Sequence, residues 1–215
     1  MRECTHLPTP LGDDVSVEVR DWDRRWEEKR LHARGEPSPV VVAALEDMPT
    51  GSALDLGCGA GRHAIWLAEL GWRVTAVDFS AEALSQGRDR ASDRGVNIEW
   101  VQADLLVYEP PNAAFDLVLV AYIHLPARER RAILVKATAA VAPGGALLLV
   151  GHDLTNIGTG APGPSSPAVL YTPEDVVLEL PGLAVTRAEQ IRRTVQLEDG
   201  TAVEAVDAFV FATRG

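Results

Sequence analysis

Between Ala53 and Gly61 an apolar run, Ala53-Leu54-Asp55-Leu56, passes directly into Gly57-Cys58-Gly59-Ala60-Gly61. Alternating glycines between a strand and a helix build a turn where a cofactor can lie against bare backbone. Glycine accepts positive φ there and has no Cβ to hold the ligand off. The spacing selects among cofactors. A dinucleotide fingerprint needs Gly or Ala three residues after its second glycine, and Arg62 stands at that position. Two more carboxylates follow at strand ends: Asp78 closes Trp72–Asp78, and Asp104 follows Asn97–Gln102. A carboxylate at the carboxyl end of a second strand can accept from both hydroxyls of a ribose. Arg62, a cation in the first turn of a helix, opposes the macrodipole unless an anion sits beside it. Extension into solvent is the competing reading for this side chain.

A second set of reactive side chains follows later strands. Tyr122, Ile123 and His124 come after Phe115–Ala121, and His152 and Asp153 come after Ala146–Val150. An unshifted imidazole titrates close to physiological pH, which makes His124 the first candidate for a general base and His152 the second. Either can equally be a satisfied structural histidine. Trp22 and Trp26 lie at i, i+4 and share one face of an N-terminal helix. They either dock that helix or, through Trp26, cover a ligand.

The elements that must position these residues follow from pattern. From about residue 50 onward strand-like and helix-like runs alternate, as in a doubly wound α/β sheet. Strands are expected at Ser52–Leu56, Trp72–Asp78, Asn97–Gln102, Phe115–Ala121 and Ala146–Val150. Helices are expected at Gly61–Leu70, after Ser80 as N-cap, at Ala127–Val141 and at Pro173–Leu180. Pro143-Gly144-Gly145 should stop the third of these. Leu183–Val195 and Ala202–Thr213 are β-rich, separated by a hairpin-type turn at Glu198-Asp199-Gly200. Asp153–Tyr171 is rich in Gly, Pro and Ser and has no periodicity, so it reads as a lid-like loop without a packed element of its own. Residues 1–50 read as a helical cap region and 51–215 as the α/β core of one domain.

The order of motifs resembles that of class I S-adenosylmethionine-dependent methyltransferases. It comprises Asp-x-Gly-x-Gly-x-Gly after strand one, Val77-Asp78-Phe79 ending strand two, and Gln102-Ala103-Asp104 after strand three. Phe115-Asp116-Leu117-Val118 opens strand four, and Val141-Ala142-Pro143-Gly144-Gly145 precedes strand five. The resemblance covers roughly residues 20 to 213. It implies a Rossmann-like, seven-stranded, mostly parallel sheet with an antiparallel C-terminal strand, and S-adenosylmethionine as cofactor. On that resemblance Asp55, Gly57, Gly59, Gly61 and Arg62 face the methionine part. Asp78 takes the ribose, Phe79 packs on the adenine, and Asp104 with Leu105 reads the adenine edge. Size and the tryptophans ahead of the core are loosely similar to thiopurine- and tellurite-type small-molecule enzymes. Asp153 and Asn156 are similar to metal ligands of catechol-type O-methyltransferases, but the acid those enzymes place after strand four is missing, so no metal is expected.

Composition narrows the partners. The 215 residues carry 20 basic and 31 acidic side chains, for a net charge of −11. That balance repels phosphate backbones, so nucleic acid is not expected as a partner. No Asn-Pro-Pro-Tyr-like motif follows strand four. Arg128, Arg130 and Arg131 alternate with Glu129 and read as a solvated helix face. Two cysteines exclude a disulfide framework, and no apolar run reaches membrane-span length. The expectation is a cytoplasmic monomer or homodimer that methylates a small molecule on O, N or S. A non-catalytic S-adenosylmethionine-binding protein is the first alternative, and an NAD(P)-dependent oxidoreductase, disfavoured by Arg62, the second.

Overall fold

The computed structural model describes residues 35–197 and 199–215; Trp22, Trp26 and Glu198 lie outside the described residues. A short helix, α1 (Pro39–Leu45), leads into β1 (Ser52–Leu56), α2 (Arg62–Glu69), β2 (Arg73–Asp78), α3 (Ala81–Asp93) and β3 (Ile98–Gln102). Then come β4 (Phe115–Ala121), α4 (Ala127–Ala140), β5 (Val141–His152), α5 (Pro173–Val177), β6 (Ala184–Gln196) and β7 (Ala202–Thr213). The seven strands form one sheet in the order β3-β2-β1-β4-β5-β7-β6. β1 to β5 pair in parallel, and β7 runs antiparallel to both β5 and β6. This is the α/β class that the alternating pattern predicts.

The central strands form because both of their faces are covered. In β4, Leu117 and Leu119 face one cluster and Val118 and Val120 the other, and all four are buried. A run without polar alternation is what a doubly covered parallel strand requires. Each such side chain contributes about 1.5–3 kcal/mol by leaving water. Ser80 caps α3 as expected, its hydroxyl accepting from the Ala83 amide at 3.1 Å.

Four expectations are corrected. β5 begins at Val141, not Ala146. Phe115 pairs with Val141 but Leu117 with Ala146, so Pro143 and Gly144 are looped out of a continuous strand rather than preceding it. Gly144 and Gly145 are held there by Arg214 through two 2.9 Å backbone bonds. α5 ends at Val177, earlier than the periodicity suggests. The segment after β5 carries two 3₁₀ turns, Leu154–Asn156 and Pro167–Val169, and its ends are bridged at Asp153 and Tyr171. The Asn156 side chain clips this segment to Val206, donating to its carbonyl at 2.6 Å and accepting from its amide at 2.8 Å. Finally, Arg130 is not solvated. It is buried, bonded through two 2.9 Å contacts to buried Glu179, with its guanidinium 4.8 Å above the Tyr171 ring. Among the described residues no helix is long and apolar enough to cross a membrane.

Candidate functional site

β1 delivers the chain into the glycine turn at the carboxyl edge of the sheet. Gly57, Gly59 and Gly61 have φ of 68°, 55° and 74°, a left-handed path that side chains with a Cβ rarely take. The turn is tied to β2: the Gly57 and Cys58 amides donate to the Val77 carbonyl at 2.8 and 3.0 Å, and the Gly59 amide donates to Asp78 Oδ2 at 2.8 Å. Asp78 Oδ1 accepts from the Ser80 amide at 2.9 Å. A Cβ on Gly57 would lie 2.7 Å from Ile123 Cδ1, so this turn also abuts the end of β4. Cys58 is buried and burial pushes its thiol up, which leaves it unreactive.

Asp55 is 1% exposed, and its Oδ2 has no hydrogen-bond partner. Burial raises its carboxyl to about 7, with Arg62 and the Ala64 amide pulling the other way and Asp78 adding to the rise. A buried carboxylate oxygen without a donor is costly. Arg62 begins α2 and reaches across the turn, its guanidinium 5.0 Å from the centre of the Tyr122 ring. Burial pulls this cation's pKa down, and among the described residues no carboxylate lies within ion-pair distance of it. Arg62 is thus half-buried over the Tyr122 ring rather than fully extended into solvent, and among the described residues neither the buried Asp55 Oδ2 nor the Arg62 guanidinium has a hydrogen-bonded or ion-paired partner of opposite character.

The remaining predicted binding residues sit close by but are less committed. Phe79 is half-buried at the end of β2. Asp104 is exposed, and its Oδ1 accepts from the Leu106 amide at 2.9 Å in a local turn. Leu105 is buried, within 3.7 Å of where a Gly57 Cβ would stand.

A second cluster, most of which the sequence does not announce, surrounds the ends of β4 and β5. Tyr122 has φ of 59°, a strained conformation for a side chain of its size. Its hydroxyl donates to Asp207 Oδ2 at 2.8 Å and shares a 3.2 Å bond with Ser38. The Asp207 carboxylate is wholly buried on β7 and accepts from Arg193 Nε at 2.7 Å and Nη2 at 3.2 Å. Burial pushes its pKa up, but hydrogen bonding from His152, Arg193 and Tyr122 and the Arg193 charge hold it below the usual carboxylate value. His152 Nδ1 lies 3.5 Å from Asp207 Oδ1, and the His152 ring stacks on His124 at 5.1 Å between centroids. Gly163 comes down on His152 from the loop: a Cβ there would meet the ring at 2.7 Å.

The two histidines therefore differ. His124 Nε2 faces the His152 amide at 3.4 Å, its buried Nδ1 has no partner, and burial lowers its pKa to about 4. That environment suits a neutral packing ring. His152 has a carboxylate behind it and is partly open. Asp153 and Asn156 are engaged structurally: Asp153 Oδ1 accepts from Thr155 and Gln190, and Asn156 holds Val206. A cavity of about 300 Å³ lined by Thr155, Thr159, Gln190, Arg192 and Glu204 lies away from the glycine turn. Glu204 and Asp207 project to opposite faces of β7, so this hollow does not join the cluster around Asp207.

Residues 53–145 match the family model of the methyltransferase domain. An uncharacterized methyltransferase of Mycobacterium tuberculosis is 37% identical over 113 residues, 52% of this chain and 55% of that protein. A ubiquinone biosynthesis O-methyltransferase of Xanthomonas campestris is 32% identical over 146 residues, 66% of this chain and 59% of its own length. The chain thus spans less than two thirds of these relatives. In fold it is similar to the N-methyltransferase NodS of Bradyrhizobium japonicum, solved with S-adenosyl-L-homocysteine. There the TM-score is 0.68 at 18% identity, covering 92% of this chain and 99% of that one.

Proposed function

We infer that this chain, whose residues 53–145 form a class I S-adenosylmethionine-dependent methyltransferase domain, transfers a methyl group from S-adenosylmethionine to a small organic acceptor through O, N or S. The observation that carries this reading is the pair of unsatisfied groups flanking the glycine turn. Among the described residues, Asp55 presents a buried oxygen without a donor, and Arg62 presents a partly desolvated guanidinium with no carboxylate at ion-pair distance. A zwitterionic amino acid satisfies both at once: its ammonium suits Asp55 and its carboxylate suits Arg62. The chemistry of the donor set therefore fits the methionine part of the cofactor. Gly57 and Gly59 offer the backbone surface beside it. Asp78, bonded to the Gly59 and Ser80 amides at the carboxyl end of β2, is the carboxylate placed for ribose hydroxyls. Phe79, Asp104 and Leu105 line the approach for an adenine.

Bound there, S-adenosylmethionine supplies an electrophilic methyl carbon on a sulfonium. The chain's own task is alignment and exclusion of water. Tyr122, beside Arg62, and the His124–His152 stack form the wall at the end of β4 and β5 where the acceptor would lie. The loop between Asp153 and Tyr171 covers that wall through Gly163. A small acceptor agrees with the net charge of −11, which disfavours a polyanion.

Methyl transfer from radiolabelled S-adenosylmethionine tests the reading, with phenols, thiols and amines offered beside ribosomal RNA and a protein mixture. Label should enter a small acceptor. Label entering only RNA or protein would overturn the acceptor class, and failure to bind the cofactor would overturn the activity.

A further inference from the structure

The cluster around Asp207 contains more than packing requires. Asp207 is wholly buried on β7, and its position opposite His152 is fixed by the β5–β7 register, in which His152 pairs with Asp207 directly. An ionised carboxylate has about four acceptor positions. Three are filled here: Tyr122 Oη at 2.8 Å and Arg193 Nε at 2.7 Å use Oδ2, and Arg193 Nη2 at 3.2 Å uses Oδ1. The fourth, on Oδ1, faces His152 Nδ1 at 3.5 Å. Arg193 Nη2 also lies 3.5 Å from that ring nitrogen; one of its two hydrogens is spent on Oδ1 at the shorter 3.2 Å, and the other would compete for Nδ1 only in the opposite tautomer, which the NMR measurement below distinguishes.

We propose that Asp207 is a positioning residue that fixes His152 as the Nδ1–H tautomer, leaving Nε2 as the proton acceptor for the methyl-accepting substrate. This deepens the methyltransferase reading and rests on it. Tyr122 and Arg193 neutralise and orient the carboxylate, so it cannot swing away from the imidazole. His124 stacks on His152 and, being held neutral by its own burial, adds no charge against a protonated partner. Among the described residues, the charged and titratable groups facing His152 are thus Asp207 from β7, Arg193 from β6, and His124 and Tyr122 from the end of β4. In the step itself, His152 Nε2 takes the proton from an acceptor O–H or S–H. The heteroatom's electron pair forms the new bond to the methyl carbon, and the pair of the broken C–S bond stays on sulfur, which leaves neutral. The imidazolium then returns its proton to water.

The arrangement follows the general logic of a carboxylate orienting a histidine base, where loss of the carboxylate presents the wrong tautomer. Long hydrogen bonds in such sites commonly tighten when substrate is present. This reverses the order expected from the sequence, which puts His124 first and His152 second. His124 is packing that keeps the second ring flat, and His152 is the working base.

The test is long-range ¹H–¹⁵N NMR of the full chain labelled at histidine, recorded near pH 8 with and without S-adenosyl-L-homocysteine. The expected result is a protonated Nδ1 and an unprotonated Nε2 on His152, with Asp207→Asn moving the proton to Nε2. In parallel, Asp207→Asn should lower kcat on a phenol or thiol acceptor by ~10²-fold or more while leaving S-adenosyl-L-homocysteine affinity within a factor of two. A wild-type His152 carrying its proton on Nε2 overturns the proposal. Because that readout needs no variant, a misfolded Asp207→Asn does not rescue it. If S-adenosyl-L-homocysteine does not bind, the methyltransferase reading fails, while the tautomer still decides the Asp207–His152 relationship.

Discussion

The Gly59 amide donates to Asp78 Oδ2 at 2.8 Å, so the glycine turn and the end of β2 form one unit. Asp78 is thereby both a staple of the turn and, on our reading, a ligand for the ribose. Asp78→Ala should weaken S-adenosyl-L-homocysteine binding at least tenfold. It should also cost about 1–3 kcal/mol of stability, because the buried Ser80 amide and the half-buried Gly59 amide lose their acceptor. Calorimetry and urea denaturation read the two effects separately. A lowered urea midpoint with unchanged affinity would make Asp78 a staple alone.

Asp55 links binding to pH. Its carboxyl is raised from 3.8 to about 7 by burial, so the folded chain holds a proton that the unfolded chain has lost across that window. Stability from this group is therefore present at low pH and declines as pH rises from about 4 to about 7, then levels. An ammonium against Asp55 favours the ionised form. Binding of S-adenosyl-L-homocysteine at pH 7 should release about half a proton, and affinity should rise between pH 6 and 8. Titrations in buffers of different ionisation enthalpy measure the release. Asp55→Asn should abolish it, and proton uptake on binding would contradict the assignment.

The Arg130–Glu179 pair anchors the segment that carries Tyr171 under the active wall. Both side chains are less than a tenth exposed and meet through two 2.9 Å bonds. Removing one partner leaves the other charge buried and uncompensated, which costs about 3–5 kcal/mol. Glu179→Ala should lower the unfolding free energy read from urea denaturation by that amount, and Arg130→Met paired with Glu179→Leu should recover most of it. A small loss in Glu179→Ala would mean that water reaches the pair.

The sheet, its order and the glycine turn were legible because each rests on local pattern. Continuous apolar runs mark doubly covered strands, and three alternating glycines mark a left-handed turn. The positions of Asp55 and Asp78 followed from those runs. Arg130 was misread because a helix bearing Arg128, Glu129, Arg130 and Arg131 has the composition of a surface, while Glu179 lies 49 residues away. Arg193 left no trace in the sequence, and Asp207 left only one. Tyr122 and Asp207 are 85 residues apart, and only the register between β5 and β7 brings His152 against Asp207. The sequence puts His124 ahead of His152 as the base; burial of the first and the carboxylate behind the second, neither visible in sequence, reverse that order on our reading. The acid near residue 207 in a strand otherwise apolar from Ala205 to Val210 was the one available signal.

The most direct measurement is an equilibrium titration of the purified full chain with S-adenosyl-L-homocysteine and, separately, with NAD. The fit of Asp55 and Arg62 to an amino-acid zwitterion, and of Arg62 to a position where a dinucleotide turn needs glycine or alanine, predicts saturable one-to-one binding of S-adenosyl-L-homocysteine. NAD should give no binding at the concentrations that saturate the first ligand, and Arg62→Ala should weaken S-adenosyl-L-homocysteine at least tenfold. Tighter binding of NAD, or no binding of S-adenosyl-L-homocysteine, would contradict the account.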